Sequence, residues 1–170
     1  MIMAFQEIQA DGLQNNPFQL FHKDWTLITA EHAGKTNMMT ASWGGLGIMW
    51  NKPVAYIVVR PQRFTKKLID ASVTLSLCFF EEKFRKELVF CGKHSGKDVD
   101  KIAECHLTLQ HEKETPYFDE ARLVLLCKKL FAQPFDKKSF VDLTIPEKVY
   151  QDGDFHTLYI LEIEKILKKI

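Results

Sequence analysis

Small polar residues and a pair of arginines stand close together in the first half of the chain, between positions 37 and 63. A polar stretch from Asn37 to Ser42 leads into several glycines, and an apolar run from Val54 to Val59 follows. Two arginines, Arg60 and Arg63, come directly after that run. Small hydroxylated residues let a flat ligand lie against exposed backbone, and the guanidinium fork of arginine suits phosphate. The pattern therefore favours a ligand with a planar head and a phosphate tail, such as flavin mononucleotide (FMN) or a similar nucleotide.

Three segments of the chain, taken in order, carry a family resemblance. The first reads N-x-M-T-A-S-W, then W-N-K-P-V, then R-P-x-R-x-T, over residues 37–65. The second reads F-C-G-x-x-S-G-x-D-V-D-K from Phe90 to Lys101, and the third reads D-x-H-x-x-Y-I-x-E-I from Asp154 to Ile163. In these motifs the chain resembles the flavin reductase-like, FMN-binding split-barrel family, in its flavoredoxin-like branch.

The resemblance implies that the first segment runs along the flavin. Its implied contacts are Asn37, Met39, Thr40, Ala41 and Ser42, whose backbone N–H groups and hydroxyls would meet N5, O4 and the ribityl oxygens. Hydrogen-bond donors at that edge tune the redox potential of a flavin. Without the resemblance, these residues are more typical of a plain polar strand and its turn, with Met39 in the core.

The two arginines are the predicted phosphate anchor. Pro61 fixes the backbone between Arg60 and Arg63, and Thr65 stands at the start of a short predicted helix, whose N-terminus favours phosphate. Arg63 and Thr65 are the first choices for this contact. The alternative is that both arginines are surface residues with solvated charges.

The resemblance gives the second segment a role in closing over the flavin. It implies contacts from Ser95 and Lys101, and a weaker contact from Cys91. From the residues alone, Ser95–Lys101 is the start of a helix with a serine or aspartate cap. No neighbouring motif supports a nucleophilic role for Cys91.

His156 is the predicted catalytic residue. It opens a late apolar strand, and the resemblance puts it on the side of the flavin where a nicotinamide or another substrate docks. There it could orient the substrate or transfer a proton at neutral pH. A single histidine on such a strand is also typical of a purely structural residue. The family strand carries glycine where this chain has Leu161, so the backbone geometry there is expected to differ.

The composition is that of one globular domain, predicted over residues 1–170. Hydrophobic residues make up 46% of the chain, which is enough for a core, and 23 basic residues nearly balance 22 acidic ones. A balanced charge argues against a nucleic-acid partner. The sequence has no apolar run of the roughly 20 residues that a membrane helix needs, and Met1–Gly12 lacks the features of a signal peptide.

The four cysteines are interpreted as reduced thiols. They are Cys78, Cys91, Cys105 and Cys127. None belongs to a C-x-x-C motif or pairs with histidine at a zinc spacing, so no metal site is predicted. With no export signal, reduced thiols predict a cytoplasmic location.

Strand patterns dominate both ends of the chain, and helical patterns its middle. The predicted strands are 24–30, 37–42, 54–59, 73–79, 123–131 and 155–163. Alternation in 73–79 predicts a half-buried strand, and the continuous run 54–59 predicts one covered on both faces. A glycine-rich turn is predicted at 44–47, with short helices near 64–68, over 80–91 ending at Gly92, and near 99–103. Because no regular crossover helices separate the strands, the prediction is a mainly β fold with a helical insert. This agrees with the antiparallel Greek-key split β-barrel, of FMN-binding type, in the resembled family.

The predicted function is that of an FMN flavoprotein. Its expected activity is flavin reduction, with electrons passing from a nicotinamide nucleotide through flavin to an acceptor. The alternatives are a non-enzymatic FMN electron carrier for protein partners and a binding barrel that has lost flavin. The sequence has no glycine-rich βαβ fingerprint, so any nicotinamide nucleotide docks on the exposed flavin face. The resemblance also implies a homodimer with the flavin site at its interface.

Overall fold

The structure, a computed structural model, describes residues 4–170. Its strands are β1 (Phe5–Ile8), β2 (Thr26–His32), β3 (Lys35–Ala41), β4 (Gly44–Met49), β5 (Lys52–Val59), β6 (Thr74–Phe79), β7 (Leu109–Glu112), β8 (Thr115–Phe118), β9 (Leu123–Pro134) and β10 (Thr157–Lys169). Its α-helices are α1 (Phe64–Ala71), α2 (Arg85–Lys93), α3 (Lys101–Glu104) and α4 (Thr144–Val149). Within residues 4–170, no helix combines the length and the apolar character needed to cross a membrane. Residues 1–3 lie outside the described part, so the prediction of one domain over residues 1–170 stays a prediction, as does that of no signal peptide in Met1–Gly12.

The main sheet is antiparallel and has two free ends. Its strands follow the order β3-β2-β6-β9-β10-β5-β4, with β1 paired to β10, while β7 and β8 form a separate hairpin. Ala41 near one end and Leu46 near the other pack on the same buried cluster, which also contains Tyr159 and Leu161 of β10. The sheet therefore curls around this cluster and stays open between β3 and β4. This confirms the predicted fold class, an antiparallel split β-barrel with short helices in the middle of the chain.

A second apolar cluster lies outside the barrel, under α2 and the β7–β8 hairpin. It contains Leu27, Cys78, Leu88 and Phe118. The prediction that 73–79 is half-buried is wrong for this reason, since Leu77 fills the barrel while Cys78 faces the second cluster. Alternation indicates two different faces but does not show whether a helix or a hairpin covers the polar one.

The glycine-rich segment after Ser42 is a strand, β4, where the sequence predicted a turn. A side chain on Gly44 would place its Cβ 2.6 Å from the ring of Phe21, and one on Gly45 would place its Cβ 2.5 Å from the ring of Tyr56. The glycines thus allow aromatic rings to lie against this edge strand. Tyr56 itself is 45% exposed, so β5 is not covered on both faces as predicted.

Two further differences concern glycine positions. Gly92 lies inside α2, which continues to Lys93, instead of ending the predicted helix. A Cβ on Gly92 would lie 3.4 Å from Cβ of Thr40, so the glycine brings α2 close to β3. Leu161, which replaces a family glycine, is fully buried beside an irregularity in the β9–β10 pairing between Ile160 and Leu161.

Candidate cofactor site at the open edge of the barrel

Strand β3 offers unpaired backbone groups along its outer edge. As a terminal strand of the main sheet, β3 pairs along its inner edge with β2. The carbonyls of Met38 and Thr40 accept hydrogen bonds from cationic side chains, so they point away from β2. Because the N–H and C=O groups of one strand residue point the same way, the amides of Met38 and Thr40 also face outward. The outer edge of β3 therefore offers backbone N–H groups as hydrogen-bond donors to a ligand.

One end of this edge opens into a cleft of about 450 Å³, named here the histidine cleft. Its lining residues are Met39, Thr40, Ala41, Ser42, Trp43, Val58, Arg60, Gln62, Arg63 and His156. Among them are most of the residues that the sequence predicts for the flavin site. Residues from distant segments thus converge here on one wall of β3.

The other end of the edge opens into a cleft of about 520 Å³, named here the lysine cleft. Asn37 and Lys101 line it, together with residues 34–36 and 96–100. Nδ2 of Asn37 donates to Oγ of Thr65 at 2.9 Å, and the two side chains are buried. Thr65 therefore orients the side chain of Asn37 by accepting this bond, and its predicted contact with phosphate stays a prediction. From Asn37 to Ser42 the strand spans about 17 Å, at about 3.3 Å per residue, so one elongated ligand can reach both clefts.

The two arginines differ in how their charges are balanced. Arg60 forms an ion pair with Asp154 and donates to the carbonyl of Val149 at 3.1 Å. Arg63 donates to the carbonyl oxygens of Gly92 at 2.9 Å and Thr40 at 3.4 Å. Within residues 4–170, no carboxylate pairs with Arg63. Burial lowers its pKa, yet an arginine stays protonated. Arg63 is thus the better candidate of the two for binding an anion.

Lys101 is a second cation without a carboxylate partner in the described part of the chain, and it is buried. Its Nζ donates to the carbonyls of Met38 at 2.8 Å and Cys91 at 2.9 Å, which leaves a third N–H free. The pKa of Lys101 is lowered from 10.5 to about 8, mainly by burial and also by the positive charge of Arg63. The two cations are close enough to repel each other, so an anion between them would relieve that repulsion.

Cys91 and Ser95 take supporting positions. Cys91 is fully buried, and its Sγ lies 3.6 Å from Sγ of Cys105. Burial raises the pKa of the Cys91 thiol to about 12, so it contributes a carbonyl to Lys101 and no thiolate. Ser95 lies outside the walls of both clefts and accepts a bond from the N–H of Lys97 at 3.2 Å. The N-terminal cap of α3 is Asp100, which agrees with the predicted serine or aspartate cap.

His156 lies at the end of the histidine cleft, with an exposure of 7%. Its Nδ1 is 2.7 Å from the hydroxyl of Tyr150, and its ring centroid is 5.2 Å from that of Trp43. Burial lowers the pKa of His156 from 6.5 to about 4, and the charge of Arg60 acts in the same direction. The imidazole is therefore neutral at pH 7, which argues against the proton transfer at neutral pH that the sequence suggested.

Two residues of this site escaped the sequence analysis in different ways. Trp43 belongs to the first motif but was not among the implied flavin contacts, and it is 51% exposed beside His156. Tyr150 precedes His156 by six positions and carries no motif, so no local signal marks it. Across residues 4–170, no three His, Cys, Asp or Glu side chains converge in the manner of a metal site.

The chain is similar to known proteins over nearly its whole length. The family described as flavin reductase like domain matches residues 18–169. No curated protein sequence shows a significant match. An FMN-binding domain of a flavin reductases-like enzyme from Shewanella baltica OS155 superposes with a TM-score of 0.73 at 16% identity, covering 99% of this chain and 79% of that one.

Two further solved structures have the same fold. Flavoredoxin from Methanosarcina acetivorans gives a TM-score of 0.70 at 21% identity, over 96% of this chain and 76% of that one. An FMN-binding protein from Thermus thermophilus, with p-hydroxybenzaldehyde bound, gives a TM-score of 0.68 at 19% identity, over 96% and 82% of the two chains. Since the family match extends over nearly the whole chain, the protein belongs to the flavin reductase like domain family.

Proposed function

We propose that this protein binds FMN along the edge of β3 and passes electrons from a nicotinamide nucleotide through the flavin to an acceptor. The observation that carries the proposal is a pair of cations, the partly buried Arg63 and the buried Lys101, which have no carboxylate partner within residues 4–170. They stand on a strand edge with free amides, beside a cleft with an aromatic wall. The cations suit the phosphate of FMN, the free amides suit the polar edge of its ring system, and the aromatic wall suits its planar ring. The FMN-binding proteins of the same fold support this choice of cofactor.

The residues divide into three roles along the strand. Arg63 and Lys101 would hold the phosphate, because arginine and lysine both form charge-assisted hydrogen bonds to it. The outward amides of Met38 and Thr40 would donate to the polar edge of the ring system. Trp43 would lie against the ring end of the site and exclude water there. When bound, the flavin supplies the hydride and electron chemistry, and the protein supplies orientation and electrostatics.

We also propose that the protein is a homodimer. Phe18, Ile48, Met49 and Trp50 are 83%, 75%, 42% and 55% exposed, and they form what we call the apolar patch. Pro17, next to Phe18, and Ile48 line one shallow groove, so the two segments of the patch are neighbours. Scattered single apolar residues are common on surfaces, but a cluster of this kind is typical of an interface. A second copy of the chain would cover it.

We place the protein in the cytoplasm. The cysteines Cys78, Cys91, Cys105 and Cys127 are all free thiols and buried. Free thiols at close range, such as Cys91 and Cys105, persist in a reducing compartment.

Anaerobic reduction of the bound flavin tests the proposed activity. The purified protein, saturated with FMN, is mixed with NADH or NADPH in a stopped-flow instrument, and flavin absorbance is followed. Bleaching within seconds by at least one of the two nucleotides is expected. Tight FMN binding without reduction by either nucleotide would overturn the reductase proposal and favour the electron carrier.

A further inference from the structure

Tyr150 lies directly behind His156 and outside the lining of the histidine cleft. Its hydroxyl oxygen is 2.7 Å from Nδ1 of His156, and the exposures of the two residues are 6% and 7%. The two ring planes are 79° apart. The contact is therefore a buried hydrogen bond between the hydroxyl and the ring nitrogen, not a ring stack.

The direction of this bond follows from which protons have acceptors. A neutral histidine carries one proton, on Nδ1 or on Nε2. If Nδ1 donated to Tyr150, the hydroxyl hydrogen of Tyr150 would need another acceptor, and its one hydrogen bond within residues 4–170 is to His156. A buried hydroxyl without an acceptor is costly. When Tyr150 donates to Nδ1, that cost disappears, and the proton of His156 resides on Nε2.

The opposite side of the imidazole is free to meet a ligand. His156 lines the histidine cleft, and in the described part of the chain its Nε2 has no hydrogen-bond partner. That atom is not among the buried polar atoms without partners, so it is not enclosed by protein. The ring of Trp43 covers one face of the imidazole, with the two planes 37° apart. The imidazole edge that carries Nε2 is thus the part of His156 that a ligand can reach.

We propose that Tyr150 is a positioning residue that holds His156 as the Nε2–H tautomer, so that His156 donates a hydrogen bond to a carbonyl oxygen of the electron donor. The carboxamide oxygen of a nicotinamide has this chemistry. The identity of the electron donor rests on the proposed function, whereas the tautomer and its cause do not.

The charged groups around His156 support a neutral donor. Arg60 lies 5.2 Å above the ring of Tyr150 and is paired with Asp154, and Gln62 also donates to Asp154 at 2.9 Å. Arg60 opposes protonation of His156 and Asp154 favours it, and burial of the ring is the largest influence. An imidazolium is therefore disfavoured, and at neutral pH the ring serves as a fixed N–H donor.

Nuclear magnetic resonance reads the tautomer directly. Protein with ¹⁵N-labelled histidine and bound FMN is recorded at pH 7, and His156 is assigned by comparison with His156→Gln. The wild type is expected to show a protonated Nε2 and an unprotonated Nδ1. Addition of oxidised nicotinamide nucleotide, which cannot reduce the flavin, should shift the Nε2 resonance more than the Nδ1 resonance.

Two sets of variants separate positioning from mere packing. Tyr150→Phe keeps the ring but removes the donor, so His156 should populate both tautomers, and kcat/KM for the nicotinamide nucleotide should fall about three- to tenfold while FMN stays bound. Tyr117→Phe removes a hydroxyl from β8, away from both clefts, and should leave both readouts unchanged. His156→Gln places an amide N–H where Nε2–H stands and should retain more activity than His156→Leu.

The tautomer is measured independently of the activity, so the positioning role of Tyr150 and the donor role of His156 are decided separately. A protonated Nδ1 in the wild type, or a Tyr150→Phe variant with unchanged tautomer, overturns it. Activity equal in His156→Gln and His156→Leu overturns the donor role. If the tautomer and its dependence on Tyr150 are as expected but neither nucleotide reduces the flavin, the positioning role stands and the proposed electron donor is wrong.

Discussion

Arg60 and Arg63 stand three positions apart and differ in whether a carboxylate balances the charge. Asp154 neutralises Arg60, which therefore holds the entrance to β10 in place. Arg63 donates hydrogen bonds to the neutral carbonyls of Gly92 and Thr40, so its positive charge is not balanced by these contacts. One sequence motif predicted both arginines as phosphate contacts. It could not show that only Arg60 pairs with a carboxylate, because Asp154 lies 94 positions from Arg60.

Substitution of Arg63 tests the anion site at the residue scale. Arg63→Ala should weaken FMN binding by about 1.5–3 kcal/mol, the range for a hydrogen bond to a charged group, or roughly 10- to 150-fold in Kd. Titration of the apoprotein with FMN, followed by quenching of flavin fluorescence, measures the loss. Lys67→Ala, on the exposed side of α1, is the control and should bind FMN as the wild type does. Equal Kd values for Arg63→Ala and wild type would remove Arg63 from the site.

Lys101 predicts a pH dependence of stability with a definite sign. Its pKa is 10.5 in the unfolded chain and about 8 in the folded apoprotein. Between these values the unfolded state binds more protons, so the free energy of unfolding rises with pH there, by up to about 1.4 kcal/mol per pH unit from this group. Below about pH 8, Lys101 is charged in both states and contributes no slope.

Urea unfolding of the apoprotein at several pH values between 7 and 10 measures this slope. Lys101→Met lacks the titrating group, so the stability of the wild type relative to the variant should increase with pH above about 8. Lys67→Met, at an exposed position, should follow the wild type throughout. Parallel curves for wild type and Lys101→Met would mean that burial does not depress the pKa of Lys101.

At the scale of elements, the sequence predicted the strands that build the site but not what covers them. The pattern around β3 and β5 placed both strands and the short helix after Pro61 within a few residues of their observed positions. It misassigned β4 as a turn, because the reason for Gly44 and Gly45 is contact with Phe21 and Tyr56, which only the tertiary structure supplies. Local periodicity describes the faces of a strand, and partners on those faces come from distant segments.

The contact between the loop before α3 and strand β3 gives a prediction at this scale. A Cβ on Gly96 would lie 2.2 Å from Oδ1 of Asn37, whose side chain is buried against Thr65. Gly96→Ala should therefore displace Asn37, destabilise the protein by about 1–3 kcal/mol through overpacking, and weaken FMN binding. Gly12→Ala, where no atom lies within 4 Å of the added Cβ, is the control.

Thermal unfolding and FMN titration of the same variants test this contact. Asn37→Ala removes the atoms that the new methyl group meets, so the double variant should be more stable than the sum of the single effects predicts. Strict additivity of Gly96→Ala and Asn37→Ala, or no effect of Gly96→Ala, would contradict the account.

At the scale of the whole molecule, the apolar patch predicts the oligomeric state. Ile48→Lys, at a position that is 75% exposed in the single chain, should convert a dimer to a monomer, because it buries a charge at the interface. Light scattering at several protein concentrations measures the mass. Val73→Lys, also at an exposed apolar position but outside the patch, should leave the mass unchanged. A wild-type monomer at every concentration that binds a full equivalent of FMN would refute a flavin site shared between two subunits.

The visible spectrum of the purified protein, combined with identification of the released cofactor, tests the central claim most directly. The pair of cations Arg63 and Lys101, one in each cleft along β3, suits the single phosphate of FMN. We expect flavin absorbance after incubation with FMN and removal of the excess, and recovery of FMN at one equivalent per chain after heat release and chromatography. A protein that stays colourless after exposure to FMN, or that yields FAD as its main cofactor, would contradict the proposed FMN site.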